Sequence, residues 1–299
     1  MDGTLDAPRT QVASDPVAGN DLSARQALQL IALACAQQIQ AHEPRLRRSR
    51  SPEALHQTRV ALRRWRTALS VFGPAAGAGR EKARATLKWL TGELNEARDL
   101  DVFAAAFAPS RTRDEGARAL ADALDTARAD AYGRADEALQ CDRVRRLLWR
   151  TAQAGGRGAG EGDPMAREVV AAALERRRRK LKKRGRHLQR LACEDRHRLR
   201  IEAKKVRYAI ELCGEMFGHL RRQARMGKAL KRMQDALGSL NDLAVGEAVA
   251  LKLAKRAATP DAAFAAGLVS GSRACREEAD LLRAAAAAYD DFVEVERFW

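Results

Sequence analysis

An all-α protein assembled from two copies of one helical unit is what this chain predicts, on three observations. Strand signals are nearly absent, because β-branched residues are sparse and period-two alternation does not persist. Alanine, leucine, arginine and glutamate dominate in long stretches of helical period. The chain also repeats itself. "HQTRVALRRWR" from His56 aligns with "HRLRIEAKKVR" from His197, 141 residues later. "LNEARDLDV" from Leu94 aligns with "LGSLNDLAV" from Leu237, 143 residues later. Two matched segments in the same order, at nearly equal offsets, mark a duplication.

Breakers place the elements in order. Residues 1–20 read as a disordered tail. Pro44 and Ser51-Pro52 bracket a basic loop, GPAAGAG at 73–79 makes a turn, and Pro109 to Gly116 makes another. Helices are therefore expected near 21–43, 53–72, 80–107 and 114–150, the last broken near Asp142. A Gly-rich linker at 153–164 is the strongest break. Beyond it, helices are expected near 164–192, 195–217, 220–256 and 261–292, with a turn at Thr259-Pro260-Asp261. The first four-helix repeat thus spans 21–152 and the second 165–299. Short connections make neighbours antiparallel, which predicts two pseudo-symmetric four-helix bundles in one compact unit.

Composition narrows the function classes. The chain has 299 residues, enough for a sizeable core, and a formal charge of +16 from 55 Lys plus Arg against 39 Asp plus Glu. That excess attracts polyanions: nucleic acid, anionic membrane or polyphosphate. Aromatics are only 5% of residues, which disfavours base-stacking platforms. The five cysteines are scattered without a C-x-x-C pair, so reduced thiols and a reducing compartment are expected. MDGTLDAPRT lacks the features of a signal peptide, and ALQLIALACAQQI is too short to span a bilayer. A cytoplasmic protein is expected.

The segment "LHQTRVALRRWRTALSVFG", 55–73, carries two stripes. Leu62, Trp65, Leu69 and Phe72 form an apolar one; His56, Arg59, Arg63 and Arg66 form a cationic one. At about 100° per residue the cations share a sector of about 80°, centred roughly 130° from the apolar residues, and extend about 15 Å. They flank the buried face, where a groove between helices would lie. His197, Arg200, Lys204 and Arg207 repeat the row around Val206 and Ile210. Arg64 matches Lys205. Like charges at i, i+4 cost roughly a few tenths of a kcal/mol each. A solvated face would dilute them with Glu, and these positions hold none. An anion is expected to offset the repulsion.

"LHQTRVALRRWRTALSVF" and "RHRLRIEAKKVRYAIELCGEMFG" resemble the two signature segments of the CHAD family, the conserved histidine α-helical domain. "ARDLDV", "LGSLNDLAV" and the terminal "FW" resemble its other landmarks, and the likeness covers residues 20–299. The resemblance implies two pseudo-symmetric four-helix bundles whose basic helices line a central cationic groove or pore. It also implies binding of inorganic polyphosphate, association with polyphosphate granules and no catalysis. Many members are fused to a CYTH domain; the length here leaves no room for one, so a stand-alone form is expected. The binding residues carried over are His56, Arg59, Arg63, Arg64 and Arg66, with His197, Arg200, Lys204, Lys205 and Arg207 in the second repeat.

Weaker candidates come from "LERRRRKLKKRGRHLQR", 174–190, the densest cationic run. The family has basic residues on this helix facing the ligand, which singles out Arg178, Lys182 and Arg186. Lys88 and Lys231, equivalent at offset 143, are further candidates. Asp99 and Asp242 are expected to cap a helix or orient an arginine rather than to act as catalytic acids. His42, His187 and His219 lack ligand spacing, so neither a metal nor a cofactor is expected. Two rivals stand beside polyphosphate binding. One is a phosphohydrolase, for which no H-E-x-x-H, P-loop or G-x-S-x-G exists. The other is sequence-nonspecific nucleic-acid binding, which charge alone permits. Granule-associated proteins are possible further partners through the C-terminal helix.

Overall fold

The computed structural model describes residues 21–107, 114–154, 162–274 and 278–299, except the side chains of residues 74, 76, 78, 240–247, 268–274 and 278–279. The expected tail at 1–20 and most of the expected linker lie outside the described residues. Those described form an all-α fold. Its helices are α1 (Ala24–Ser49), α2 (Pro52–Val71), α3 (Arg80–Glu93), α4 (Asn95–Phe107), α5 (Glu115–Gln140) and α6 (Asp142–Ala154) in the first half. The second half has α7 (Ala166–Gly185), α8 (Cys193–Cys213), α9 (Leu220–Ala257), α10 (Pro260–Ala274) and α11 (Glu278–Glu294).

Local chemistry sets the starts of these helices. Ser23 opens α1 with a capping box: its hydroxyl accepts from the Gln26 N–H, and the Gln26 side chain accepts from the Ser23 N–H. Ser51 caps α2, its hydroxyl accepting from the Ala54 N–H at 3.2 Å, with Pro52 in the first turn where its missing N–H costs nothing. Asp114 caps α5, accepting from Ala117 N–H at 2.7 Å.

Four expected boundaries differ, one being the helix expected at 164–192, which ends at Gly185 before a short 3-10 turn at Leu188–Arg190. Pro44 does not begin a loop; it sits inside α1, which runs on until Arg50 turns left-handed at φ 46°. Gln40 and Pro44 are both exposed, so the carbonyl deprived of its partner faces solvent, while buried Leu46 ties down the continuation. The expected helix at 80–107 breaks at Leu94, two residues after Gly92, although Leu94 N–H still reaches Leu90 C=O at 3.2 Å. The expected helix at 261–292 is two elements, α10 and α11.

Buried residues from both halves form one continuous apolar core, from Ala24 in α1 to Phe298 at the C-terminus. Across the halves, α2 packs on α8, α5 on both α9 and α10, and α1 on α7. Gly116 lets α5 approach the Asp261 backbone, where a Cβ would stand 2.3 Å from the carbonyl oxygen. The halves also meet at their starts. Ala24 N–H donates to Pro164 C=O at 2.8 Å, and Ala166 N–H donates to Leu22 C=O at 2.9 Å, around a bridge between Ser23 and Met165. The donors and acceptors of this reciprocal pair are 142 residues apart. Arg25 closes the junction on Asp163 at 2.9 Å.

Candidate functional site

The two helices that carry the repeated motif bury their apolar stripes and leave their cations on the flank. In α2, Leu55, Leu62, Trp65 and Leu69 are buried; in α8, Leu199, Ala203, Val206 and Ile210 are. Where the two helices pack together, their cationic rows converge on one ring. The Arg63 guanidinium lies 4.3 Å from the centroid of Tyr208, and that of Arg207 lies 5.0 Å away. A tyrosine ring presents negative charge on its faces, so it holds one cation from each half and offsets their repulsion. Sequence reasoning missed Tyr208. Its counterpart in the first half is Thr67, so the repeat gave no signal, although the residue directly follows Arg207.

Arg59 leans toward the start of α4, and Arg200 toward α9. Arg59 Nη1 donates to Asn95 Oδ1 at 2.6 Å. Arg200 Nη2 sits 3.3 Å from where a Cβ on Gly238 would stand. Asn95 and Gly238 are matched in the repeat, so both arginines use the same position on the neighbouring element. Burial lowers the Arg59 pKa, the Asp99 carboxylate raises it, and the charges of Arg98 and Arg63 lower it. Asp99 thus supports a stripe arginine, one of the two structural roles expected of it; the Asp242 side chain lies outside the described residues.

His56 is half-buried near the start of α2. Burial pushes its pKa below the ordinary imidazole value of 6.5; Arg98, Arg63 and Arg59 push the same way, and Glu53 opposes them. Arg66 is lowered by burial and by the charge of Arg84. Arg84 and Arg98 were not anticipated, yet both add positive potential to the row. Among the second-half residues, His197 is exposed and Lys204 half-buried on α8. Lys88 is exposed one turn beyond Arg84 on α3, and Lys231 is exposed 3.9 Å from Asp235.

Several predicted residues lie elsewhere. Arg64 and Lys205 stand about 100° around their helices from Arg63 and Lys204. The charge of Arg64 acts on buried Cys35 in α1. Lys205 pairs at 3.0 Å with Glu202, a carboxylate only 4% exposed that also takes Lys180 at 3.0 Å and Arg184 at 3.6 Å. Of the three weaker candidates, Arg178 and the Lys182 main chain meet the C-terminal segment, and Arg186 lies just past α7. Arg178 Nη2 donates to the Val293 and Val295 carbonyls at 3.1 and 2.9 Å. Tyr289 Oη donates to the Lys182 carbonyl at 2.6 Å, packed where Gly185 leaves room, and Arg186 acts electrostatically on the same tyrosine. Lys180 and Arg184 of α7 reach α8 through Glu202, and Arg177 of α7 reaches both motif helices. It donates to Ser70 Oγ of α2 at 2.8 Å and to the Lys205 carbonyl of α8 at 3.5 Å. The helical register of a run this dense in cations was not legible from composition.

Among the described residues no cluster of His, Cys, Asp or Glu could hold a metal ion, and Cys35, Cys141, Cys193 and Cys213 are free thiols. Among the described residues, no helix is long and apolar enough to cross a membrane.

An all-helical fold with a cationic row on each of α2 and α8 defines a class of basic helical domains. The CHAD domain profile matches residues 30–251, and the chain belongs to the CHAD family. It is similar to the crystal structure of the CHAD domain from the plant Ricinus communis, with 27% identity, a TM-score of 0.76, and 93% of this chain and 95% of that one covered. It also shares its fold with PptA from Streptomyces chartreusis at 20% identity, a TM-score of 0.61, and 90% and 99% coverage. No curated protein matches the chain.

Proposed function

We propose that this chain binds inorganic polyphosphate along a basic groove between α2 and α8, without catalysing its hydrolysis. The observation that carries this reading is the convergence of Arg63 and Arg207, one from each half, on Tyr208. Cations held side by side favour a ligand that repeats its negative charge along a line. Arginine offers a planar donor fork to neighbouring phosphate oxygens, and lysine a point charge. Lys204 stands where the first half has Arg63, so the second row makes fewer bidentate contacts. The reciprocal hydrogen bonds at 22–24 and 164–166 support reading the halves as two copies about one axis.

Competition at physiological salt tests the reading. Polyphosphate of defined length is expected to displace duplex DNA and to release no phosphate, with or without divalent metal. Tighter binding of DNA supports a nucleic-acid protein instead, and phosphate release at enzymatic rates supports a hydrolase. Affinity is expected to fall steeply with added salt, because each phosphate contact displaces counterions. In cells, tagged protein is expected to follow cytoplasmic polyphosphate granules, and an Arg63→Gln/Arg207→Gln variant to disperse.

A further inference from the structure

A cavity of about 470 Å³ lies behind the α2 stripe, between α1, α3 and α6, and the basic rows do not line it. Its floor is apolar: Leu28 and Ala32 from α1, Trp65 and Leu69 from α2, and Leu147 from α6. Its rim is cationic: Arg80 and Lys82 from α3, with Arg143, Arg146 and Arg150 from α6. No acid lines it. Three of the cations are partly engaged. Arg143 Nε donates to Thr86 Oγ1 at 3.0 Å and stacks on Trp89, Arg146 faces Asp142 at 3.8 Å, and Arg80 faces Glu81 at 3.9 Å. Lys82 and Arg150 have no acidic partner among the described residues.

The size suits a small organic ligand. Gln29, Thr86 and Thr151 also line the cavity, and both threonine hydroxyls are spent on main-chain carbonyls, Thr86 on Lys82 at 2.8 Å and Thr151 on Leu147 at 2.9 Å. An occupant matching this lining has a flexible apolar body and one anionic end. We propose that the cavity binds a single-chain anionic amphiphile, a fatty-acid carboxylate, with its alkyl chain over Trp65 and Leu69 and its head group at the rim of Lys82 and Arg150. The inference does not depend on polyphosphate binding. An anionic membrane offers the same chemistry from another source, and α6 exposes Trp149 (63%) beside Arg145 and Arg146, so the test separates the two.

The test displaces 11-(dansylamino)undecanoate from the intact protein with dodecanoate below its micellar concentration. One site is expected, with dodecanol at least tenfold weaker and affinity rising up to about fourfold per methylene across shorter acids. Lys82→Glu/Arg150→Glu, which changes two exposed side chains, is expected to weaken dodecanoate at least tenfold and leave dodecanol within twofold. Ala83→Phe, which fills the cavity wall, is expected to weaken both. Equal binding of acid and alcohol, or a dodecanoate affinity indifferent to Lys82→Glu/Arg150→Glu, overturns the proposal. So does binding to phosphatidylglycerol vesicles without binding of dodecanoate.

Discussion

The Arg63 guanidinium stacks 4.3 Å from the ring of Tyr208, so a cation of the first repeat rests on an aromatic of the second. Arg207 shares that ring from its own helix and also pairs with Glu211 at 3.0 Å. Two guanidiniums are thereby held near one ring instead of splaying apart. Each stacking contact at a partly exposed site contributes about 0.5–1 kcal/mol. Tyr208→Ala is therefore expected to lower polyphosphate affinity about three- to tenfold. Tyr208→Phe, which keeps the ring, is expected to stay within twofold. Titration of the two variants against the parent checks this.

Arg178 belongs to the scaffold. Its two hydrogen bonds hold the Val293 and Val295 carbonyls, and its guanidinium lies 5.7 Å from the Phe292 ring. Arg178→Gln is expected to cost about 1–3 kcal/mol of stability and to leave polyphosphate affinity within twofold. Thermal melts paired with binding curves separate these effects.

Much of this was legible in the sequence, and what was not has specific causes. The all-α class follows from the 3.6-residue period, and both rows follow from the 141-residue repeat, because a duplicated pattern is visible without knowing how the copies pack. Tyr208 escaped because the stacking is not duplicated. Arg177 escaped because every register in 176–180 is cationic, so only packing decides which residue faces α2 and α8. The Pro44 boundary failed because tertiary burial of Leu46 carries α1 past a local breaker, and the Leu94 boundary failed because Gly92 alone is a weak breaker signal.

Glu202 links stability to acid. Burial works to raise its pKa, but hydrogen bonds from Lys180 and Lys205, with their charges, hold it below the ordinary 4.5. A carboxyl with a depressed folded pKa gives stability that is fully present above the unfolded value and lost as pH falls through the folded one. Acid unfolding should therefore steepen below about pH 4.5. Glu202→Gln is expected to cost about 2 kcal/mol at pH 7 and to flatten that slope. Chemical denaturation at pH 7, 5 and 4 measures both.

His56 acts in the same direction at higher pH. Its depressed pKa keeps the folded, ligand-free imidazole neutral, so the unfolded chain takes up a proton first as pH falls through 6.5. Ligand-free protein should lose stability below that pH, and His56→Gln should remove part of the loss. Bound polyphosphate reverses the balance by favouring the imidazolium, so affinity should rise as pH drops from 7 toward 5.5 with uptake of a proton. Calorimetry in two buffers of different ionisation enthalpy detects that proton; equal observed heats in the two buffers would contradict the linkage.

Stoichiometry decides whether the two repeats form one site. Isothermal titration of the intact protein with a long polyphosphate of uniform length should give one chain per protein molecule. Arg63→Gln and Arg207→Gln should each weaken that single event about tenfold and leave the stoichiometry at one. Two independent binding events, one abolished by each substitution, would contradict the account.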